Sequence, residues 1–319
     1  MNTLICITPT GGRPDAFAQC ERLMARQTRK PDLWIVIDDV DPPTKTTMGQ
    51  VVLRPEPRWP NYVQQTTQHR NIIAALDRID SIEAVSTRDA SLIMWEDDDH
   101  YAPGYIAEQA ERLKSCDLSG EGPARYYHVR NGCYRVFEDT PHASLCATAM
   151  RASLIPELRD LCEMGAWIDV GLWKRCGSRG KLYNAENVIG MKGMPGRPGV
   201  SQCHKQARDP RWTFDPDGAK LREWTGPDAA FYLGFRPTEK QRQAPAVIEW
   251  DETLGMHRIK REGRPDRFRC GDCSYDHWEE GMVMKHWMEM HAPEAAKTGP
   301  LFDDGPDTTD RKIIVPGKE

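Results

Sequence analysis

The sequence predicts an α/β protein whose core is a parallel sheet. Three observations carry this. Short apolar runs alternate with segments of helical spacing over residues 1–115. Two of those runs end abruptly in acids, Asp38-Asp39 and Glu96-Asp97-Asp98-Asp99. With 39% hydrophobic and 29% charged residues, the chain can bury a core and is not disordered overall.

In chain order, residues 4–8 read as a buried strand, followed by the turn Pro9-Thr-Gly-Gly-Arg-Pro14 and a helix over 15–29 with Phe17, Leu23 and Met24 apolar. Residues 33–37 form a second strand. A Pro-rich loop then leads to a helix near 62–79. Residues 91–95 form a third strand that runs into the acidic turn, and a helix near 103–113 begins with Pro at a first-turn position. Beyond it, 126–137 reads as strand or hairpin. Residues 149–162 and 167–176 read as helices, and the Gly/Pro-rich stretch 190–200 as a loop. Residues 236–253 read as a connector, 254–292 as a separate small unit and 293–319 as a flexible tail, leaving 1–235 as the main domain.

Lys and Arg number 43 against 48 Asp and Glu, a net charge of −5. That argues against a surface that coats nucleic acid or anionic membrane as a whole, and leaves room for one local basic patch. The longest apolar stretches fall far short of the ~20 residues of a membrane span. The start of the sequence has no basic, apolar leader pattern, so a cytoplasmic location is expected and no membrane partner. Most of the ten cysteines sit singly, as small core hydrophobes in a reducing compartment. Only Cys270 and Cys273 have metal-ligand spacing.

In open α/β sheets, ligands bind at the carboxyl ends of strands, where Asp38, Asp39 and residues 96–99 fall. Four consecutive acids repel one another. A hard divalent ion, Mg²⁺ or Mn²⁺, relieves this and bridges to phosphate. A solvated acidic turn is the plain alternative.

Thr8-Pro-Thr-Gly-Gly-Arg-Pro14, Asp38-Asp39, Arg70-Asn71 heading an apolar helix, and Trp95-Glu-Asp-Asp-Asp-His-Tyr-Ala-Pro-Gly-Tyr-Ile106 recur in an order that resembles GT-A glycosyltransferases, above all the inverting family 2 group. The resemblance covers residues 3–210. It implies a Rossmann-like, nucleotide-sugar-binding domain whose acidic motif holds a metal against the diphosphate of the donor. On it, Asp98 is the metal ligand, with Asp97 and Asp99 as alternates and Glu96 as a ribose contact. Thr8, Asp38 and Asp39 grip nucleobase and ribose, and Arg13 and Arg70 contact donor phosphates. Trp167-Ile-Asp-Val-Gly-Leu-Trp-Lys-Arg175 is similar to the family segment with the catalytic base, which falls on Asp169, although Ile168 replaces the usual Glu. One carboxylate suffices to take the acceptor proton while the leaving diphosphate is met by a cation. A plain helix N-cap is the other reading of Asp169. The segment 192–204 suits a mobile lid, with Lys192 and Arg197 toward the diphosphate and His204 completing the metal shell.

Cys270-x₂-Cys273-x₁₂-His286-x₄-His291 matches the spacing of a Cys₂His₂ zinc finger, so Zn²⁺ is expected there. Arg258, Lys260, Arg261, Arg264, Arg267 and Arg269 against Glu262 and Asp266 make a net +4 arm suited to phosphate contact. The finger helix, rich in Glu and Met, is poor in base-reading side chains, so docking to protein competes with DNA.

Together these lead to a metal-dependent, inverting glycosyltransferase using a UDP-sugar. Its acceptor is a hydroxymethylated base in DNA, following the logic of viral DNA-modifying enzymes, or else a glycan or protein. A nucleotidyltransferase and a non-catalytic zinc adaptor are the other classes.

Overall fold

A computed structural model describes residues 3–58, 67–82, 90–138, 141–197 and 211–237, and the backbone of the strands at 247–251, 256–260, 267–270 and 276–277. The chain divides into two units, Met1–Arg236 and Pro237–Glu319.

The first unit opens with β1 (Thr3–Thr10), α1 (Pro14–Ala25), β2 (Leu33–Asp38), β3 (Val51–Leu53), α2 (Gln68–Asp80), β4 (Ala90–Met94), β5 (His100–Tyr101) and α3 (Tyr105–Arg112). It continues with β6 (Leu118–Glu121), β7 (Ala124–His128), β8 (Cys133–Phe137), β9 (Thr148–Arg151), α4 (Ile155–Glu163), α5 (Ile168–Cys176), β10 (Gly180–Tyr183) and β11 (Val188–Lys192). It closes with β12 (Thr213–Phe214), α6 (Ala219–Thr225) and α7 (Ala229–Leu233).

Seven strands form one sheet in the order β10-β6-β9-β4-β1-β2-β3. The four strands β4, β1, β2 and β3 are parallel, as expected. Ile5, Ile7, Ile35, Ile37, Leu92 and Met94 on the adjacent strands β1, β2 and β4 are fully buried. Unbroken apolar runs of this kind belong to parallel strands covered on both faces. A second sheet, β12-β8-β7-β11-β5, packs Tyr127, Ile189 and Met191 against Leu221 and Tyr232.

Two expectations need correction. Residues 148–151 are not helical: β9 lies antiparallel between β4 and β6. Ala149 and Met150 suit a helix by propensity, but pairing on both edges overrides it. Residues 190–192 are not loop but the end of β11, paired with β7. Gly190 is there because a Cβ would lie 2.4 Å from the Tyr126 ring, a packing reason rather than a turn signal.

The second unit contains β13 (Val247–Asp251), β14 (Met256–Lys260), β15 (Arg267–Cys270) and β16 (Asp276–His277), an antiparallel sheet in chain order. The stretch 236–253 therefore includes a strand. No helix among the described residues is long and apolar enough to cross a membrane.

Candidate active site

The adjacent parallel strands β4, β1 and β2 release three segments at one edge of the sheet: the acidic turn 96–99, the loop 11–13 and the pair Asp38-Asp39. The approach is close. A Cβ on Gly11 would lie 2.3 Å from Asp39 Oδ1, so only glycine fits there.

Aromatic packing holds the acidic turn. Trp95 stacks on Tyr101 at 3.9 Å, and the Tyr101 hydroxyl accepts the Glu96 N–H at 2.8 Å. Asp97, Asp98 and Asp99 are buried, with Glu96 partly exposed. The chain itself supplies their counter-charges. Arg13 forks across two of them, Nη2 to Asp97 Oδ1 and Nη1 to Asp98 Oδ2, each at 2.5 Å. The Thr10 hydroxyl donates to Asp97 Oδ2 at 2.6 Å. Asp99 Oδ1 accepts the Met191 N–H at 2.6 Å, with Lys192 Nζ 3.7 Å away.

Burial pushes the Asp97 carboxyl up to about 7, with Asp98 adding to the shift and Arg13 and Thr10 opposing it. Burial, reinforced by Asp98, also raises Asp99, while Lys192 pulls it down. For Arg13 burial works against the charge, but Asp97 and Asp98 outweigh it and hold the guanidinium above its ordinary value. Lys192 is raised in the same way, chiefly by Asp99 against burial.

Two hard oxygen donors face one another here: ligand atoms of Glu96 and Asp99 lie within 4.8 Å of each other, together with the Cys146 sulfur. Burial keeps Cys146 a neutral thiol, which suits a hydrogen bond to Asp99 rather than a Mg²⁺ or Mn²⁺ ion. Asp98, the expected metal ligand, instead has Arg13 on its Oδ2. Arg13, expected at a donor phosphate, is the counter-ion of the acidic turn.

Asp39 is fully buried at the centre of a second cluster. Its Oδ1 accepts from Arg197 Nη1 at 2.8 Å. Its Oδ2 accepts from Asn71 Nδ2 at 3.1 Å, Arg70 Nη2 at 3.3 Å and the Thr67 hydroxyl. Arg197 also donates to Thr67 Oγ1 at 3.0 Å. Expected as a ribose contact, Asp39 here orients two guanidiniums. Asp38 is likewise buried and accepts from the amide and hydroxyl of Thr44 at 2.8 and 3.2 Å. Thr8 is drawn into the core, where its hydroxyl accepts from Trp34 Nε1 at 2.8 Å. Thr10, two residues on, is the hydroxyl that reaches the acids.

The strand-to-helix alternation did not reveal Thr10, Thr67, Gln68, His69 or Cys146. The polar run Thr67-Gln-His-Arg-Asn71 heading an apolar helix was a usable signal, since a first turn made wholly of polar side chains has no core to pack against. Gln68 Nε2 donates to Glu96 Oε1 at 3.1 Å, and His69 Nε2 donates to the Ala166 carbonyl at 2.7 Å. The start of α2 thus touches both the acidic turn and the segment leading to Asp169.

Asp169 lies in the first turn of α5, one residue inside the helix; the N-cap position is Trp167. Its partly exposed carboxylate accepts the Val170 N–H at 2.9 Å. Arg175 pairs with Asp160 of α4.

His204, Arg261, Arg264, Cys273, His286 and His291 lie outside the described residues. Arg258 and Lys260 fall on β14 and Arg267, Arg269 and Cys270 on β15, so the basic segment is in part sheet rather than arm. Cys6, Cys20, Cys116, Cys133, Cys146, Cys162 and Cys176 are free thiols.

No family model and no curated protein matches the chain. Solved structures give distant matches. TarS from S. aureus superposes with a TM-score of 0.41 at 11% identity, over 59% of this chain and 36% of TarS. TarS 1–349 in complex with UDP gives the same score and identity over 59% of this chain and 60% of that one. The mannosyltransferase PcManGT from Pyrobaculum calidifontis, in complex with GDP-Man and Mn²⁺, gives 0.38 at 11% identity, over 59% and 56%. The chain therefore spans less than two thirds of each of these proteins.

Proposed function

We propose that this chain is a metal-dependent, inverting glycosyltransferase of the GT-A type. It moves a sugar from a nucleotide-sugar, UDP-linked, to an acceptor hydroxyl, with a hydroxymethylated base in DNA as the leading acceptor. One observation supports this above the rest: at the carboxyl edge of a parallel sheet, a buried carboxylate run and a buried Asp39 are interleaved with Arg13, Arg70, Lys192 and Arg197. A nucleoside diphosphate needs such cations as it leaves, because its negative charge grows while the glycosidic bond breaks.

In this reading Asp169 takes the proton of the acceptor hydroxyl as its oxygen attacks the anomeric carbon. A partly exposed carboxylate with one local hydrogen bond is free to do so. Lys192, Arg197 and Arg70 neutralise the departing diphosphate. Asp99 and Glu96 would hold a Mn²⁺ or Mg²⁺ ion, joined by Asp98 where Arg13 gives way and by His204. When bound, such an ion adds positive charge at the diphosphate.

The second unit is proposed to carry a structural Zn²⁺ on Cys270, Cys273, His286 and His291. In support, Cys270 closes β15 and the chain reverses to pair β16 against it, with Phe268 opposite His277. The basic residues of 258–269 would meet nucleic-acid phosphates. The seven free thiols among the described residues are in keeping with a reducing, cytoplasmic setting.

The test is incubation with labelled UDP-sugars and Mn²⁺, with hydroxymethylated DNA, unmodified DNA or no DNA. Transfer confined to hydroxymethylated DNA is expected. Donor turnover that ignores DNA would move the acceptor to a glycan or protein, and no turnover of any donor would overturn the enzyme reading. Zinc content of the purified chain, with and without Cys270→Ser, tests the metal module.

A further inference from the structure

Lys192 is buried, 5% exposed, and its Nζ stands 3.7 Å from Asp99 Oδ1. That separation is beyond hydrogen-bond reach, so the carboxylate attracts the ammonium without fixing its direction. A second partner is present. The Lys192 Nζ lies 5.1 Å from the centroid of the Tyr126 ring, within the range at which an aromatic face holds a cation.

The surroundings of Tyr126 are built to bring its ring there. β7 and β11 run parallel, with Tyr126 opposite Gly190 and His128 opposite Lys192. Alternation along the strands places Gly190, Lys192 and Tyr126 on one face of the sheet. Gly190 has no side chain to keep the ring off β11: a Cβ there would lie 2.4 Å from both Cδ1 and Cε1 of Tyr126. The ring therefore lies against β11 two residues before the lysine that it meets. Phe137 packs edge-on at 5.3 Å, and the Tyr126 hydroxyl shares a 2.6 Å hydrogen bond with Ser144 Oγ. Two residues after Ser144 comes Cys146, whose thiol hydrogen-bonds Asp99. One short segment thus sets both partners of the ammonium, the ring through Ser144 and the carboxylate through Cys146.

We propose that Tyr126 is the positioning residue of Lys192: its ring face keeps the ammonium beside the acidic turn, where it meets the diphosphate of the donor. This rests on the glycosyltransferase reading above. An aromatic face is suited to the task. It attracts positive charge without accepting any of the three N–H donors of the lysine, so they stay available to phosphate oxygens. A second carboxylate in its place would take up those donors and repel the phosphate. Tyr126 itself touches no reacting atom.

The test is a double-mutant cycle read by the Kd of UDP in the presence of Mn²⁺. Lys192→Ala should weaken UDP about tenfold or more, the loss of a charge-assisted hydrogen bond. Tyr126→Leu should weaken it about three- to thirtyfold, and should add nothing further in the Lys192→Ala background. Tyr126→Phe, which keeps the ring, should retain most of the affinity. Binding of uridine, which has no phosphate, should match wild type in every variant. Where Tyr126→Leu fails to fold, Tyr126→Phe with increasing ring fluorination decides the matter: UDP affinity should fall stepwise as fluorine drains the ring face. Unchanged UDP affinity in Tyr126→Leu, additive losses in the double variant, an equal loss for uridine or a flat fluorination series overturns the role of Tyr126 and leaves the enzyme reading intact. A wild-type chain that binds no UDP overturns both.

Discussion

The acidic turn at 96–99 and the carboxylate of Asp169 are built in opposite ways. Asp97, Asp98 and Asp99 are buried, and each has a cation or a hydroxyl of the same chain against it. Asp169 is partly exposed and has one bond to its neighbour's amide. The difference separates two tasks. Buried carboxylates cost several kcal/mol each unless they are paired, so their partners are part of the fold. A carboxylate at a helix start costs little to place and gains from the helix dipole, which leaves its lone pairs available to a substrate. Substitutions at the first region should therefore register as stability as well as turnover, and at the second as turnover alone.

The sharpest separation is expected from Asp169→Asn. With the base removed, transfer should fall by about 10²–10⁴-fold, the usual span for a general base. Unfolding by urea should be unchanged, since no other side chain depends on this carboxylate. A parallel fall in stability would show that Asp169 belongs with the structural acids and would end the comparison.

Arg13→Ala should register in stability. It leaves Asp97 and Asp98 facing each other without their fork, at a cost of about 3–5 kcal/mol in unfolding free energy. Mn²⁺ should restore more stability to this variant than to wild type, because the ion takes over a charge that Arg13 otherwise neutralises. Equal Mn²⁺ stabilisation of both proteins would mean that Arg13 and metal do not share carboxylates.

The main sheet was legible in the sequence because its strands are continuous apolar runs, and a two-faced strand leaves no other reading of residues 4–8, 33–37 and 91–95. The edge that carries the acids followed from their position after β2 and β4. What those acids touch was not legible. Arg13 lies 84 residues before Asp97, and Arg197 lies 158 residues from Asp39, so their pairing exists only once the sheet has set the strand order. Thr8 and Thr10 look equivalent in sequence, yet the Trp34 indole claims one and Asp97 the other. The strand β9 was hidden for a related reason: Ala and Met gain their extended form from the neighbours on each side.

A smaller effect separates the regions by pH. The Asp97 carboxyl, raised from 3.8 to about 7 in the fold, keeps a proton that the unfolded chain has released in that interval. The stability it contributes is complete below about pH 4 and is lost as pH rises toward 7. Denaturant titrations across this window should show the decline in wild type and in Asp169→Asn, and a flatter profile in Asp97→Asn, which carries no titrating proton. A decline of equal slope in Asp97→Asn would assign it to another group.

The smallest effect is expected at the surface between α4 and α5. Arg175 and Asp160 form an ion pair between α5 and α4 with side chains 36% and 54% exposed. Water screens such a pair, so Arg175→Gln should change unfolding free energy by no more than about 1 kcal/mol, well below the cost of removing Arg13 from its buried fork. The two arginines have similar carboxylate partners and differ in solvent access, which makes the pair of variants a direct measure of what burial adds.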